Sequence, residues 1–115
     1  MQVRELIDDG LHILQIAGEV DMARSPDLRR VLAAHAEAQR PALLLDFTEV
    51  KYIDSSGLAT LVEYVQLSSS HGGRLAVGGL NESVRTVFEM VRLGEIFTVR
   101  TALAEARAAL VQPGA

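Results

Sequence analysis

The chain has no cysteine among its 115 residues. This absence excludes thiol nucleophiles, disulfides and cysteine-based metal sites, and it fits a reducing compartment such as the cytoplasm. No run approaches the roughly 20 consecutive apolar residues that span a bilayer, and the charged start, MQVRELIDDG, does not match a secretory signal. We therefore predict a cytoplasmic protein that is neither exported nor inserted into a membrane.

Positive charge is also scarce. Eleven lysines and arginines face fifteen acidic residues, which gives a net charge of −4, and the only lysine is Lys51. Proteins bind nucleic acid largely through basic side chains that contact phosphates, and no basic cluster occurs anywhere along this chain. Nucleic acid is therefore not predicted as the main partner.

The motifs of several enzyme classes are missing as well. Neither a Gly-x-x-x-x-Gly-Lys-Ser/Thr nor a Gly-x-Gly-x-x-Gly sequence is present, so no nucleotide cofactor is indicated. A serine hydrolase would need a glycine where Ile53 precedes Asp54 and Ser55, and no aspartate follows Asp54. The three histidines, at 12, 35 and 71, lack metal-ligand spacing. We predict no catalytic residue, cofactor or metal, and a small serine hydrolase is the least favoured alternative.

Apolar residues make up 49% of the chain, enough to fill one core in a single domain over residues 1–115, with its core at about 3–111. The first half predicts a hairpin around Asp9-Gly10, a helix capped by Ser25, and a buried strand, PALLLDF, that ends at Asp46. A second helix follows, with an apolar stripe that begins at Leu58.

In the second half of the chain, predicted strands and helices continue to alternate. The strand RLAV precedes a helix that is capped by Asn81 and ended by Gly94. A strand at 96–99, a helix capped by Thr101 and a frayed end at 113–115 complete the chain. The order ββαβαβαβα predicts an α/β domain with a mostly parallel, mixed sheet covered by about four helices.

Sites in such sheets gather at the carboxyl ends of the strands. The predicted loops at 18–25 and 48–56 both lie there, so we expect three aspartates and two serines to be neighbours: Asp21, Asp46, Asp54, Ser55 and Ser56. The stretch YIDSSGL, residues 52–58, lies inside this group and opens the second helix.

The second serine of YIDSSGL needs an explanation, because Asp54 or Ser55 suffices to cap the helix and Ser56 is left over. Gly57 costs about 0.5–1 kcal/mol relative to alanine in a helix and would leave the backbone beside Ser56 open. One interpretation is a tolerated polar first turn. The other is a hydroxyl presented to another protein, where an added phosphate would meet free backbone amides at the positive helix end.

The motif Asp54-Ser55-Ser56-Gly57-Leu58, with Gly18-Glu19-Val20-Asp21 and Leu93-Gly94, resembles the anti-sigma factor antagonist branch of the bacterial STAS domain family over about residues 3–111. This resemblance implies partner switching: a serine kinase that is also an anti-sigma factor phosphorylates Ser56. The unphosphorylated antagonist sequesters the kinase and frees a sigma factor, phosphorylation breaks the complex, and a serine phosphatase restores the free serine. ATP and magnesium belong to the kinase, so the antagonist is not an enzyme.

The predicted partner surface follows the Ser56 face of its helix and includes the loop at Asp21. Its members are Asp21, Met22, Asp54, Ser55, Ser56, Gly57, Ala59, Thr60 and Glu63. Similar domains also serve in stress-sensing assemblies, in secretion control and in a lipid-transport ABC complex, and these remain alternatives. Met22 has two interpretations, an adaptable apolar contact or a residue buried beneath the first helix.

Overall fold

A computed structural model of the chain describes residues 1–111, so the predicted frayed end at 113–115 lies outside the described residues. Five strands alternate with four helices in the predicted order ββαβαβαβα. The strands are β1 (Gln2–Asp8), β2 (Leu11–Val20), β3 (Ala42–Ile53), β4 (Arg74–Gly78) and β5 (Thr98–Val99). The helices are α1 (Ser25–Glu37), α2 (Ser55–Ser68), α3 (Glu82–Met90) and α4 (Leu103–Val111).

The sheet is mixed, and its spatial order is the same as the chain order, β1-β2-β3-β4-β5. Strands β1 and β2 form the predicted antiparallel hairpin, and the turn residues Asp9 and Gly10 have φ angles of 52° and 79°. Aspartate and glycine tolerate such positive φ angles, which explains why this pair suits a tight turn. The other neighbouring strands pair in parallel.

The two faces of the sheet hold separate apolar clusters. Alternate residues of β3 point to opposite faces, so Leu43 and Leu45 pack with apolar residues of α1, α2 and α3, whereas Leu44 packs with Ala106 and Leu110 of α4. All three leucines have no solvent exposure. The apolar run in β3 is therefore a central strand covered on both faces, as predicted. None of the described helices is long and apolar enough to cross a membrane.

Strand β3 is longer than predicted, and this changes the position of the site. The sequence predicts a loop at 48–56, but the strand continues to Ile53 because its second half pairs with β2 from Ala17 to Val20. Val50 and Ile53 are buried while the residues between them are exposed, so a half-buried strand replaces the loop. Asp54 is thus the single residue that links β3 to α2.

Two predicted helix ends also differ. Helix α3 begins at its predicted cap Asn81, whose side chain accepts a hydrogen bond from the N–H of Val84 at 2.8 Å, but it ends at Met90 before Gly94, which lies in a short 3-10 turn. Helix α4 is not capped by Thr101. Its first helical hydrogen bond runs from Ala106 to the carbonyl of Ala102, and the Thr101 carbonyl accepts the N–H groups of Gly79 and Leu80 instead.

Candidate functional site

The site is built where two neighbouring parallel strands end together. Val20, the last residue of β2, is paired with Ile53, the last residue of β3. Asp21 and Asp54 directly follow these residues, and the N–H of Asp54 donates to the carbonyl of Val20 at 3.2 Å. The register of the sheet therefore brings the start of α2 beside the turn that leads into α1, as the sequence predicts.

Asp54 is the cap of α2. Its carboxylate accepts the N–H groups of Ser56 and Gly57 at 3.0 and 3.2 Å and the hydroxyl of Ser56 at 2.5 Å. The Ser56 hydroxyl lowers the pKa of Asp54 most, partial burial opposes it, and the N–H groups of Gly57, Ser56 and Met22 lower it further. Asp54 is ionised at neutral pH, and Ser55, the alternative cap, is an exposed first residue of the helix.

The hydroxyl of Ser56 is half-buried and engaged, not spare. Besides its bond to Asp54, its Oγ lies 2.9 Å from the Oγ of Ser25 in α1. The expectation of free amides beside it is also wrong, because the N–H groups of Ser56 and Gly57 both bond to Asp54. A carboxylate thus already occupies the anion-binding end of α2.

The sequence predicts that Ser25 caps α1. In the structure Ser25 does not cap the helix and takes part in this arrangement instead. The turn at 21–24 passes directly into the helix, and the N-cap position is occupied by Arg24, which has helical backbone angles and makes no capping bond with its side chain. The Asp21 carbonyl accepts the N–H groups of Ser25 and Arg24 at 2.8 and 3.1 Å. The Ser25 hydroxyl donates to the same carbonyl at 2.7 Å, and the side chain turns inward, where Ser25 is 2% exposed.

Gly57 is buried, and its missing side chain faces the sheet. A Cβ atom at this position would lie 2.7 Å from Cγ1 of Ile53 and 2.9 Å from Cγ1 of Val20. The predicted role, an open backbone beside Ser56, is therefore wrong. Glycine instead lets the first turn of α2 pack closely on the ends of β2 and β3, and sequence reasoning missed this role because the contact is tertiary.

The surface around Ser56 contains most of the predicted partner residues. Met22 is 77% exposed, which rules out burial beneath α1, and Ser55 and Ala59 are exposed as well. The Glu63 side chain is 44% exposed and pairs with Arg29 of α1 at 2.7 Å. Asp21 is half-buried, and its carboxylate pairs with Arg24 at 2.5 Å.

Thr60 does not belong to this surface. It is 1% exposed, and its hydroxyl donates to the carbonyl of Ser56 at 2.9 Å. The helical spacing of four from Ser56 places Thr60 over the boundary of the exposed face, where α2 packs against the core. Gly57 and Thr60 are thus the two predicted surface residues that the structure buries.

Asp46 is separated from the other predicted site residues. It lies in β3, where its carboxylate accepts the N–H of Thr48 at 2.9 Å, and at about 3.3 Å per strand residue it is more than roughly 20 Å from Asp54. It lines a hollow of about 400 Å³ with Arg4 of β1 and Gln15 of β2. The expected cluster of three aspartates is therefore wrong, because β3 extends beyond Asp46.

The histidines are used elsewhere in the fold. Nε2 of the buried His35 lies 2.7 Å from the carboxylate of Glu5, the ring of His12 packs edge-on against His35, and Nε2 of His71 lies 3.1 Å from the carbonyl of Arg40. Within residues 1–111, no group of three or more potential metal ligands is placed to hold an ion. The site therefore consists of two serine hydroxyls, the carboxylate of Asp54, the ion pair of Asp21 with Arg24, and the start of α2.

Comparison with known proteins identifies a family whose members the chain resembles. The model of the STAS domain matches residues 2–106. An anti-sigma-B factor antagonist of Listeria monocytogenes is 27% identical over 100 residues, which cover 87% of each chain, and one of Bacillus subtilis is 33% identical over 86 residues, 75% of this chain and 78% of the relative. The crystal structure of an anti-sigma factor antagonist from Mycobacterium paratuberculosis has a TM-score of 0.88 at 23% identity, covering 96% of this chain and 94% of that one.

Proposed function

The chain belongs to the STAS domain family, and on this premise we propose that it is an anti-sigma factor antagonist switched by phosphorylation of Ser56. In the unphosphorylated state it binds a serine kinase that is also an anti-sigma factor, and it thereby frees a sigma factor in the cytoplasm. Phosphorylation releases the kinase, and a serine phosphatase restores the binding state. The names of the two curated relatives support the first part of this proposal.

The observation that carries the proposal is the position of Ser56. Its hydroxyl lies at the start of α2, 2.5 Å from the ionised Asp54. Ser55 and Ala59 are exposed residues of the same helix, and Met22 is an exposed residue of the neighbouring turn. A phosphoryl group at this place would add a second negative charge to the middle of an accessible surface. The change would therefore alter the surface much more than the packed core beneath it.

The reaction itself is a phosphoryl transfer to which the antagonist contributes only the acceptor. The bond from Ser56 Oγ to the γ-phosphorus of the kinase-bound nucleoside triphosphate forms, the bond from that phosphorus to the nucleoside diphosphate breaks, and the hydroxyl proton leaves to a base of the kinase. Asp54 is a poor base because its pKa is lowered, and the described histidines make no hydrogen bond to either serine. We therefore propose a binding module rather than a hydrolase.

The size of the switch follows from charge. A phosphate carries about −1.5 to −2 at pH 7, and like charges brought together at a desolvated interface cost several kcal/mol. Each 1.4 kcal/mol changes affinity about tenfold, so we expect roughly a hundredfold loss or more. Aspartate has one charge on a shorter side chain and should reproduce only part of the loss.

The test uses the kinase from the native cell, identified by pull-down with the unphosphorylated chain. Mass spectrometry after incubation with ATP should find the phosphate on Ser56. Calorimetric titration should then rank the affinities of wild type and Ser56→Ala above Ser56→Asp, with the phosphorylated chain weakest. The matched control is Ser55→Asp, which places the same charge one residue away on an exposed side chain and should cost less affinity than Ser56→Asp.

Two results would contradict the proposal. Modification mainly at Ser55 or at the serines 68–70 would move the switch to another residue. Equal affinities for all four forms of Ser56 would mean that no switch exists, and a constitutive subunit, such as the STAS domain of a lipid-transport ABC complex, would become the better account.

A further inference from the structure

We propose that Ser25 is a positioning residue that holds the Ser56 hydroxyl in an inward orientation and thereby slows its phosphorylation. This inference rests on the proposed function of Ser56. Ser25 is in α1, thirty-one positions before Ser56, and the two Oγ atoms are 2.9 Å apart. Ser25 is 2% exposed, so it lies beneath the exposed face around Ser56 and is not part of that surface.

The direction of the bond between the two serines follows from the other contacts that their hydroxyls make. Two hydroxyls share three contacts: Ser25 with the Asp21 carbonyl at 2.7 Å, Ser25 with Ser56 at 2.9 Å, and Ser56 with Asp54 at 2.5 Å. The short contact with an ionised carboxylate takes the Ser56 proton, since charge-assisted bonds are the strongest. Ser56 can then only accept from Ser25. The Ser25 hydroxyl also donates to the Asp21 carbonyl at 2.7 Å, so its single proton is shared between that carbonyl and the Oγ of Ser56.

The result is a chain in which Ser25 donates to Ser56 and Ser56 donates to Asp54. Hydrogen bonds in such a chain polarise and strengthen one another. These two hydrogen bonds use the proton of the Ser56 hydroxyl and one of the two lone pairs of its Oγ. The hydroxyl is thus held on both sides, by α1 and by the cap of its own helix.

This pocket has no room for the product. Its walls are a nearly inaccessible hydroxyl at 2.9 Å and an ionised carboxylate at 2.5 Å, and the carboxylate would repel a phosphoryl group. Ser56 must therefore rotate outward, toward the surface at Met22 and Ala59, before or during phosphoryl transfer. The bond from Ser25 belongs to the inward orientation alone, so it favours the unphosphorylated form.

Removing the Ser25 hydroxyl should leave the rest of the site in place. Alanine is the best helix former and suits the first turn of α1, and the two backbone N–H groups keep the Asp21 carbonyl bonded. We therefore expect Ser25→Ala to bind the kinase with unchanged affinity and to accept phosphate about two- to tenfold faster, the factor for one neutral hydrogen bond.

The experiment measures single-turnover phosphorylation of the full chain by the same purified kinase with ATP, and separately its affinity for the kinase with ADP. Ser25→Thr, which keeps the hydroxyl, should return the rate toward wild type. Ser83→Ala is the matched control, since it removes a hydroxyl from the first turn of α3 that bonds to Asn81 at 3.1 Å, and its rate should equal wild type. A merely structural role for Ser25 would lower affinity or thermal stability without accelerating transfer.

An unchanged or slower rate for Ser25→Ala, with wild type phosphorylated at Ser56, would overturn the inference while leaving the proposed function intact. If wild type itself takes no phosphate at Ser56, the proposed function fails instead. A measurement on wild type alone decides the matter if Ser25→Ala does not fold. The three-bond Hα–Hβ couplings of Ser56 should report one fixed rotamer, and averaged couplings would show that Ser25 does not hold it.

Discussion

Replacing Asp54 by asparagine tests whether the ionised cap stabilises the site. Asparagine can keep the two backbone hydrogen bonds and the bond from Ser56, but without the charge. Bonds to a charged acceptor contribute about 1.5–3 kcal/mol and neutral ones about 0.5–1.5, and an anion at a helix N-terminus adds about 0.3–1. Because the three bonds share one acceptor oxygen and are not additive, we expect Asp54→Asn to lower the free energy of unfolding by about 1–2 kcal/mol at pH 7.

The pH dependence gives this prediction its sign. The pKa of Asp54 is lower in the folded chain than its ordinary value of 3.8, so folding favours the ionised form. The stabilisation is complete above the ordinary pKa and is lost as pH falls through the lowered pKa of the folded state. The difference between wild type and Asp54→Asn should therefore be constant from pH 7 to about pH 5 and shrink toward zero below about pH 4.

Urea unfolding followed by far-ultraviolet circular dichroism measures this difference, since the chain has no tryptophan for fluorescence. The matched control is Asp9→Asn, the same change in the exposed hairpin turn, where φ is 52° and asparagine is equally tolerated. It should alter stability by less than about 0.5 kcal/mol. A difference for Asp54→Asn that is absent at pH 7, or that is the same at pH 7 and pH 2, would refute the reasoning.

Two further predictions concern packing and the partner surface. Gly57→Ala should lower the free energy of unfolding by about 1–3 kcal/mol, measured by urea unfolding, because its new methyl group meets Ile53 and Val20; a gain in stability would contradict the packing role. Met22→Ala and Glu63→Arg should each weaken kinase binding in calorimetry without changing the circular dichroism spectrum. Met90→Ala, at another methionine that is 77% exposed, is the control, and normal binding by both surface variants would place the partner elsewhere.

The order of the elements could be predicted because hydrophobic spacing and turn residues are local signals. The Asp9-Gly10 turn, the apolar run in β3 and the Asn81 cap each report a structure within a few residues, and the structure confirms all three. The full length of β3 could not be predicted in this way. Its second half is exposed at Thr48, and only pairing with β2 makes it a strand.

The sequence predicted most of the residues that lie at the site, but not the direction in which the Ser25 side chain points. The register of β2 and β3 explains why residues far apart in the chain, such as Asp21 and Asp54, lie at one edge of the sheet. No sequence pattern indicates that Ser25 turns inward, since serine before proline at a helix start usually signals a cap. The inward contact is with Ser56, thirty-one positions away in the chain, and only the tertiary structure brings the two hydroxyls together.

Asp54 already binds the N–H groups at the start of α2, and this determines whether a phosphate on Ser56 would affect mainly the domain or mainly partner binding. A free helix N-terminus binds a phosphate well and would neutralise part of its charge within the domain. Here the N–H groups of Ser56 and Gly57 already bond to a carboxylate, and the charge of Asp21 is paired with Arg24. The domain thus has little left at this end with which to compensate a second anion. We expect the phosphate to project outward beside Met22. Its charge should therefore weaken binding of the partner much more than it destabilises the domain, and the fold should be the same in both states.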